Sequence, residues 1–575
     1  MAGYPAGRAF SWEDDKTWRR AWQSLSLPLS LGPERRGGGV QPLKARAALR
    51  PEFRPQPPLK TTFPDRRRQY LIYRRGFGKL PHGGPGLGKI ILKATAGPLM
   101  LDSSHSPPVP GESAPPRILQ KFAYLLSALW VREALQAVFL IYLARVSSTT
   151  YGEFILALGL GSILLLVAEF GLNLPLVSLL AQKDGEPDAA LTQVSLLKGT
   201  LLILALMGVL GFMEWQDYAP SLKHVMFMLC AGLGLEALSN SFFVALQVQG
   251  RQDLQGKIKA LAAGIGFGYG LIALALGAAP LVVAAFKLIE SLINLGGSFI
   301  LVRSRGRFRF KWPSLGRLGS TLKLSLVFGL IEVSAVIYNK ANLFFLQKYA
   351  GVQGVAQYSV TWQTVDGISV LVSNLLLQSI LFPIFVQLWE VDRGRVSQLA
   401  QNTARWLLAA AMAVMFLLFI ESDRIITLVY GPNYPEAIWL QKLLVVTVVF
   451  AFMHNLAAFL MISMRLQRLL LLFYLGGLAF NLVWCALVIP RAPLLGAALA
   501  IVLTKGGVAL LTVSFCQRRL GLMRRRPLLQ LGLTVLLGAL LYLMGHGRLP
   551  REATEALALA PTFLLAWRWW RKRCD

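Results

Sequence analysis

Phe154-Ile-Leu-Ala-Leu-Gly-Leu-Gly-Ser-Ile-Leu-Leu-Leu-Val-Ala168 is one of a series of apolar stretches that fill the chain from Arg117 to its C-terminus. With its flanks, each stretch reaches the ~20 residues that cross the ~30 Å hydrocarbon core of a bilayer as a helix. A helix also satisfies its own backbone hydrogen bonds in lipid. The sequence therefore predicts an all-α polytopic membrane protein whose function lies inside the helical bundle.

The composition of the chain agrees with this prediction. Of its 575 residues, 55% are hydrophobic and 15% are charged, whereas about 25% are charged in an average soluble domain. The net charge of +30 would suit a nucleic-acid partner, but residues 1–99 alone hold 19 Lys and Arg against 6 Asp and Glu. Most other basic residues lie at predicted helix ends, where they mark the cytoplasmic side and attract anionic lipid headgroups. No nucleic-acid partner is predicted.

Segmentation of the apolar stretches predicts fourteen spanning helices. They cover about residues 118–143, 153–181, 191–213, 223–246, 255–276, 281–302, 321–347, 358–388, 402–420, 437–463, 468–489, 493–515, 527–545 and 551–569. Connections after even-numbered helices are rich in Lys and Arg, except for the acidic connection 183–188, and acidic residues contribute little to topology. The positive-inside rule therefore predicts a multi-pass membrane protein with both termini in the cytoplasm.

The first twelve helices resemble a duplication. Each half opens with a long helix, a basic residue, a short turn and an aromatic restart, first around Arg145 and then around Lys348. Parallel repeats about an axis along the membrane normal enclose a central cavity. We expect two pseudo-symmetric six-helix lobes around such a cavity. The expected domains are an N-lobe at 117–303, a basic cytoplasmic linker at 304–320, a C-lobe at 321–516, and two extra helices with a basic tail at 517–575.

Residues 1–116 are basic and rich in Pro and Gly, without a sustained apolar stripe, so we expect them to be disordered. The spacing Gly83-x4-Gly88-Lys89 resembles a phosphate-binding loop, but Ile90 stands where Ser or Thr would hold magnesium and no strand precedes it. A sharper hypothesis is that translation of the native protein starts at Met100. The four cysteines are not spaced as metal ligands, and no metal or cofactor is predicted.

Charged residues inside the predicted spans are the candidate functional residues, because each costs ~2.5–3.5 kcal/mol at mid-helix on insertion scales. A carboxylate there is a candidate proton or cation site, and a cation would hold a phosphate. Lys287 and Glu290, three residues apart, could instead neutralise each other, and the lone His454 is predicted to be a packing residue. The substrate-cavity candidates are Arg132, Glu133, Lys198, Lys287, Glu290 and Lys340. The ion- or proton-coupling candidates are Glu169, Glu236, Glu332 and Asp366.

Several motifs occur in a characteristic order along the chain. They are Leu143–Phe154, Phe170-Gly171, Leu322–Asn342, Gln357-Tyr358, Leu381-Phe-Pro383 and Val429–Ala437. Their order resembles the polysaccharide-exporting branch of the multidrug/oligosaccharidyl-lipid/polysaccharide (MOP) flippase superfamily over about residues 117–516. The last two helices resemble the extra pair that many members carry. Many members also have Asp in helix 7 where this chain has Asn342, so an ion site at that position is not carried over.

The resemblance implies a flippase that moves a polyprenyl-diphosphate-linked oligosaccharide across the cytoplasmic membrane by alternating access. The implied partners are the lipid-linked glycan, membrane lipids, H⁺ or Na⁺ as a coupling ion, and glycosyltransferases or a polysaccharide polymerase. One alternative is a multidrug or cation antiporter of the same superfamily, which would favour an acidic, aromatic cavity. A membrane glycan polymerase or ligase is a further alternative. The longest exterior connections, about 214–222 and 421–436, are short for a catalytic site, so we expect a protein that is not an enzyme.

Overall fold

The computed structural model describes residues 115–181, 186–306, 315–523, 525–545 and 548–574. The loop at Gly83–Lys89 and the alternative start at Met100 lie outside these ranges, as does part of the acidic connection 183–188. Within the described ranges the chain is helical and contains no strand.

Fourteen helical segments, α1 to α14, follow the fourteen predicted spans. They are α1 (Pro115–Val146), α2 (Ser148–Glu169, continued by Asn173–Leu180), α3 (Pro187–Trp215), α4 (Pro220–Val248), α5 (Gln252–Ala275), α6 (Pro280–Gly306), α7 (315–350), α8 (352–391), α9 (Arg393–Ile420), α10 (Pro435–Leu444, continued by Val446–Ser463), α11 (Gln467–Val488), α12 (Pro493–Leu520), α13 (Arg525–Gly545) and α14 (Arg551–Cys574). A short helix, Ser422–Tyr430, precedes α10.

Eleven helices of the described chain are long and apolar enough to cross a membrane, and one of these contains both α7 and α8. Those eleven therefore account for twelve predicted spans, and α1 and α14 occupy the other two. The predicted turn between α7 and α8 is present but short, because the backbone leaves the helical conformation at Gly351, where φ is 66°. Glycine adopts this left-handed backbone without the steric cost that a side chain would add.

Two helix boundaries differ from the predicted spans. The second predicted span is broken after Glu169 by two residues with positive φ, Phe170 at 40° and Gly171 at 66°. The predicted linker 304–320 is helical at both ends, because α6 continues to Gly306 and α7 begins at residue 315. The break at Phe170-Gly171 lies within an apolar stretch, so hydrophobicity alone does not reveal it. The helical ends of the linker were missed because a helix can extend past the hydrocarbon region at its polar ends.

The helices pack as two lobes. In the N-lobe, α4 packs between α2 and α6, α5 packs on α1 and α6, and α3 covers α2 and α4. In the C-lobe, α7 and α8 pack on α10, α11 and α12. The extra pair α13 and α14 packs together and contacts the C-lobe through α9. The duplication predicted from the sequence thus corresponds to two sets of six helices.

The lobes meet along α2 and α7–α8. At Gly152 there is no room for a side chain, because a Cβ atom would lie 2.1 Å from the Val352 carbonyl oxygen. A second close approach occurs where a Cβ atom on Gly329 would lie 2.7 Å from the Phe170 carbonyl oxygen. These backbone contacts hold the two lobes together on one side of the molecule.

Polar contacts also join the lobes at the end of the bundle that carries the α1–α2 connection, the predicted exterior end. Tyr434 Oη donates to the Ala144 carbonyl oxygen at 2.7 Å, and Ser148 Oγ donates to Gln353 Oε1 at 3.0 Å. Arg145 Nε donates to the Val429 carbonyl oxygen at 2.8 Å. The lobes are therefore closed against each other at this end.

The same end holds an ion cluster that ties α14 to the short helix Ser422–Tyr430. Arg551 donates to both carboxylate oxygens of Asp423, at 2.8 and 2.6 Å. These charge-assisted hydrogen bonds lower the pKa of Asp423 to about 2. Arg551 also lies 3.0 Å from Glu555 and 3.4 Å from Glu421.

Candidate functional site

Three helices of the N-lobe bring two cations and two carboxylates together inside the bundle. Arg132 of α1 donates from Nε to Glu290 of α6 at 2.9 Å and from Nη2 to Glu236 of α4 at 3.0 Å. Lys287 Nζ donates to Glu236 and to Glu290, each at 2.8 Å. The Glu290 side chain has no solvent exposure. We call Arg132, Glu236, Lys287 and Glu290 the N-lobe charge network; its formal charge is zero.

The network borders a cavity of about 180 Å³ between the lobes, which we call the interlobe cavity. Arg132 and Lys287 line it from the N-lobe, and Lys340 of α7 and Gln363 of α8 line it from the C-lobe. Among the described residues, Lys340 has no hydrogen bond or ion pair, unlike Arg132 and Lys287. Lys340 therefore contributes a positive charge that no bonded carboxylate neutralises.

A second polar group lies among α2, α3 and α4. Lys198 is fully buried and donates to Asn173 Oδ1 at 2.8 Å and to the Ala237 carbonyl oxygen at 2.9 Å. Glu169 accepts from Asn240 at 2.7 Å and lies 3.7 Å from Lys198. Glu332 of α7 is within electrostatic range of Glu169 and Lys198. It makes no hydrogen bond or ion pair in the described part of the chain.

A third polar group lies in the C-lobe. Lys505 of α12 donates to Asp366 of α8 at 2.7 Å, and its ammonium lies 4.4 Å from the ring centroid of Trp362. Both Asp366 and Lys505 line a cavity of about 240 Å³, the C-lobe cavity, together with His454. His454 is hydrogen-bonded to Thr512 at 3.1 Å and to Tyr474 at 2.8 Å, so it is a satisfied packing residue as predicted.

The ten candidate residues are thus distributed over three groups rather than one. Glu133 is the exception, because its side chain is 64% exposed and it is not among the residues lining the interlobe cavity. It still lies 3.7 Å from Arg132 Nη1. Lys287 and Glu290 lie 2.8 Å apart, which agrees with the expectation that they neutralise each other. Each also has a second ion-pair partner, Glu236 for Lys287 and Arg132 for Glu290.

Several residues of these sites carry no clear signal in the sequence. Lys259 of α5 lies within electrostatic range of Arg132 and Glu236, and its ammonium is 4.9 Å from the Phe243 ring centroid. Its position near a helix end made it look like an ordinary boundary residue. Gln136 and Gln363 line the interlobe cavity but carry no charge, and so gave no signal.

Asn342 is fully buried in the C-lobe. Its Nδ2 donates to Tyr358 Oη at 2.7 Å and to the Ala497 carbonyl oxygen at 3.3 Å. It therefore joins α7 to α8 and α12. Within the described ranges, no cluster of three or more His, Cys, Asp or Glu side chains could hold a metal ion.

Two six-helix lobes, an added helix pair and a polar interlobe cavity are the architecture of a membrane transporter. The sequence profile of the family described as "Polysaccharide biosynthesis protein" matches residues 118–389, which covers the N-lobe and α7–α8. This match covers just under half of the chain and relates that part to the family. Among curated proteins, none matches the chain by sequence.

Solved structures share this fold. The lipid II flippase MurJ, in an inward closed conformation, has a TM-score of 0.62 at 12% identity over 78% of this chain and 99% of its own. An inward-facing multidrug resistance MATE family transporter has a TM-score of 0.53 at 16% identity over 68% and 94%. A MOP superfamily transporter from Pyrococcus furiosus has a TM-score of 0.51 at 13% identity over 70% and 95%. These likenesses show the fold.

Proposed function

We propose that the chain is a flippase that carries a polyprenyl-diphosphate-linked oligosaccharide across the cytoplasmic membrane for polysaccharide biosynthesis. The observation that carries this proposal is the charge of Lys340. The N-lobe charge network is neutral as a unit, so Lys340 gives the interlobe cavity a net positive character. A diphosphate supplies the compensating negative charge and several strong acceptors.

The arrangement suits a cargo with a polar head and an apolar tail. The headgroup cannot cross hydrocarbon by itself, whereas the tail can remain in lipid throughout. The interlobe cavity lies inside the bundle, between lobes that close against each other at one end. Rocking of the lobes about such a site exposes the cargo first to one leaflet and then to the other.

The family description supports a substrate from polysaccharide biosynthesis.

The alternative function is that of a cation antiporter, and the pairing of the carboxylates disfavours it. Glu236 and Glu290, in the network that borders the interlobe cavity, and Asp366, which lines the C-lobe cavity, are already paired with Arg or Lys. They are therefore poorly placed to bind a cationic drug.

The test is translocation of a fluorescent polyprenyl-diphosphate oligosaccharide by purified protein in proteoliposomes. We expect Lys340→Ala to reduce the rate ~10-fold or more, because a hydrogen bond to a charged group contributes ~1.5–3 kcal/mol. Lys340→Arg should retain most of the rate. Lys442 is exposed on α10 and lines neither cavity, so Lys442→Ala is the matched control. Equal rates for Lys340→Ala and Lys442→Ala would overturn the proposal.

A further inference from the structure

The C-lobe cavity combines aromatic faces with polar groups that have unused hydrogen-bonding capacity. We propose that it binds the sugar unit attached directly to the diphosphate, an inference that rests on the flippase function proposed above. The cavity lies among α7, α8, α10, α11 and α12 and has a volume of about 240 Å³. Ligand pockets usually measure ~300–1,000 Å³, so this one suits a single sugar ring rather than a whole oligosaccharide.

The aromatic part of the cavity is formed by Tyr338 and Tyr474. Their ring centroids are 5.9 Å apart with an angle of 37° between the planes, and both side chains are buried. His454 fixes the Tyr474 hydroxyl through a 2.8 Å hydrogen bond. A pyranose ring presents C–H groups on its faces and hydroxyl groups at its edge. The apolar, electron-rich faces of tyrosine suit the C–H groups.

The polar part of the cavity suits the hydroxyl groups. Asn339 Nδ2 donates to the Ala335 carbonyl oxygen at 2.8 Å, but its buried Oδ1 has no hydrogen-bond partner. A buried acceptor left unpaired costs ~1–3 kcal/mol. Asn455 also lines the cavity and makes no side-chain hydrogen bond within the described ranges. Asp366 uses Oδ1 for Lys505, which leaves its second oxygen for a ligand hydroxyl.

The C-lobe cavity and the interlobe cavity adjoin along two helices. On α7, Asn339 of the C-lobe cavity directly precedes Lys340 of the interlobe cavity. On α8, Asp366 of the C-lobe cavity is one helical turn from Gln363 of the interlobe cavity. Lys340 is also within electrostatic range of Asp366. A diphosphate held at Lys340 would therefore place its first sugar beside Asn339 and Asp366.

An inorganic cation is a less suitable occupant of the C-lobe cavity. Its one lining carboxylate, Asp366, is already neutralised by Lys505 at 2.7 Å. Amide groups and tyrosine faces, by contrast, match the alternating polar and apolar surfaces of a sugar.

Binding measurements on the purified protein in nanodiscs test this assignment. The probes are a short-chain polyprenyl diphosphate alone and the same lipid carrying one glucose, galactose or N-acetylglucosamine. We expect the wild type to bind at least one sugar-bearing probe more tightly than the bare diphosphate. Asn455→Leu and Asn339→Leu should weaken that preferred probe about fivefold to tenfold and change the affinity for the bare diphosphate by less than about twofold.

The variants separate this inference from the proposed function. Lys340→Ala should weaken both kinds of probe, and Lys442→Ala should weaken neither. If Lys340→Ala acts as expected but the asparagine variants bind the sugar-bearing probe like the wild type, the sugar site is overturned and the flippase proposal stands. If Lys340→Ala changes neither affinity, both are overturned. Asn455→Ala, a smaller substitution, and the melting temperatures of all variants are the controls for folding. A misfolded variant would lose affinity for both kinds of probe together.

Discussion

Arg132 of α1 and Glu290 of α6 form an ion pair with a 2.9 Å contact, and the Glu290 carboxylate is completely shielded from solvent. Arg132 is among the residues that the sequence predicts to line the cavity. Its guanidinium is largely committed to Glu290 and Glu236. The role of free cation therefore falls to Lys340, and Arg132 serves mainly to hold α1 against α4 and α6.

We predict that Glu290→Gln lowers the stability of the folded protein. Removal of this carboxylate leaves Arg132 and Lys287 sharing Glu236, and breaking a buried ion pair costs ~3–5 kcal/mol. Thermal unfolding in detergent should show a clear decrease in melting temperature. The matched control is Glu214→Gln, because Glu214 is 74% exposed in its pair with Lys223 and such pairs contribute only ~0–1 kcal/mol. Equal melting temperatures for the two variants would contradict a stabilising network.

The Asp423–Arg551 pair should make stability depend on pH in the acid range. The folded-state pKa of Asp423, about 2, lies below its ordinary value of 3.8. Its carboxylate therefore stabilises the fold above pH 3.8, and this contribution is lost as the pH falls towards 2. The side chain is 46% exposed, so we expect at most ~1 kcal/mol.

Comparison of wild type with Asp423→Asn over this pH range measures that contribution. The wild type should be the more stable protein at pH 7, and the difference should shrink between pH 3.8 and 2. A difference that stays constant across this interval would show that Asp423 acts through packing instead of charge.

Closure between the lobes should be required for transport. In a cysteine-free background, Ser148→Cys with Gln353→Cys puts one thiol on each side of the lobe contact in which Ser148 Oγ and Gln353 Oε1 lie 3.0 Å apart. We predict that oxidation forms a disulfide across the predicted exterior end and stops translocation, and that reduction restores it. Either single cysteine variant is the control. Continued transport by the fully cross-linked protein would rule out separation of the lobes at this end.

Glu332 is our candidate for the residue that couples transport to an ion gradient. The other three coupling candidates, Glu169, Glu236 and Asp366, all have hydrogen-bond partners. We predict that an imposed proton or sodium gradient accelerates flipping by the wild type. Glu332→Gln should lose this acceleration and keep the basal rate.

Glu133→Gln is the control for that measurement, because the exposed Glu133 is absent from the interlobe cavity lining. An undiminished gradient response in Glu332→Gln would assign coupling to another group.

The number and order of the helices followed from the sequence, because a bilayer requires long apolar helices whatever their packing. The pairing of the intramembrane charges did not follow, since it depends on how each helix is rotated against its neighbours. Arg132 and Lys340 look alike in sequence, yet Arg132 is paired and Lys340 is not. The C-lobe cavity was missed because Asn339, Asn455 and Tyr474 are uncharged, and uncharged polar residues are common in helix contacts.

The most direct test of the central claim, an anionic lipid-linked glycan as cargo, compares two cargoes in the same proteoliposomes. One is a fluorescent polyprenyl-diphosphate oligosaccharide and the other is a lipophilic cation such as tetraphenylphosphonium. We predict that the protein translocates the anionic glycolipid and leaves the cation at the rate of protein-free liposomes. Translocation of the cation alone would contradict the claim and identify the chain as a cation exporter.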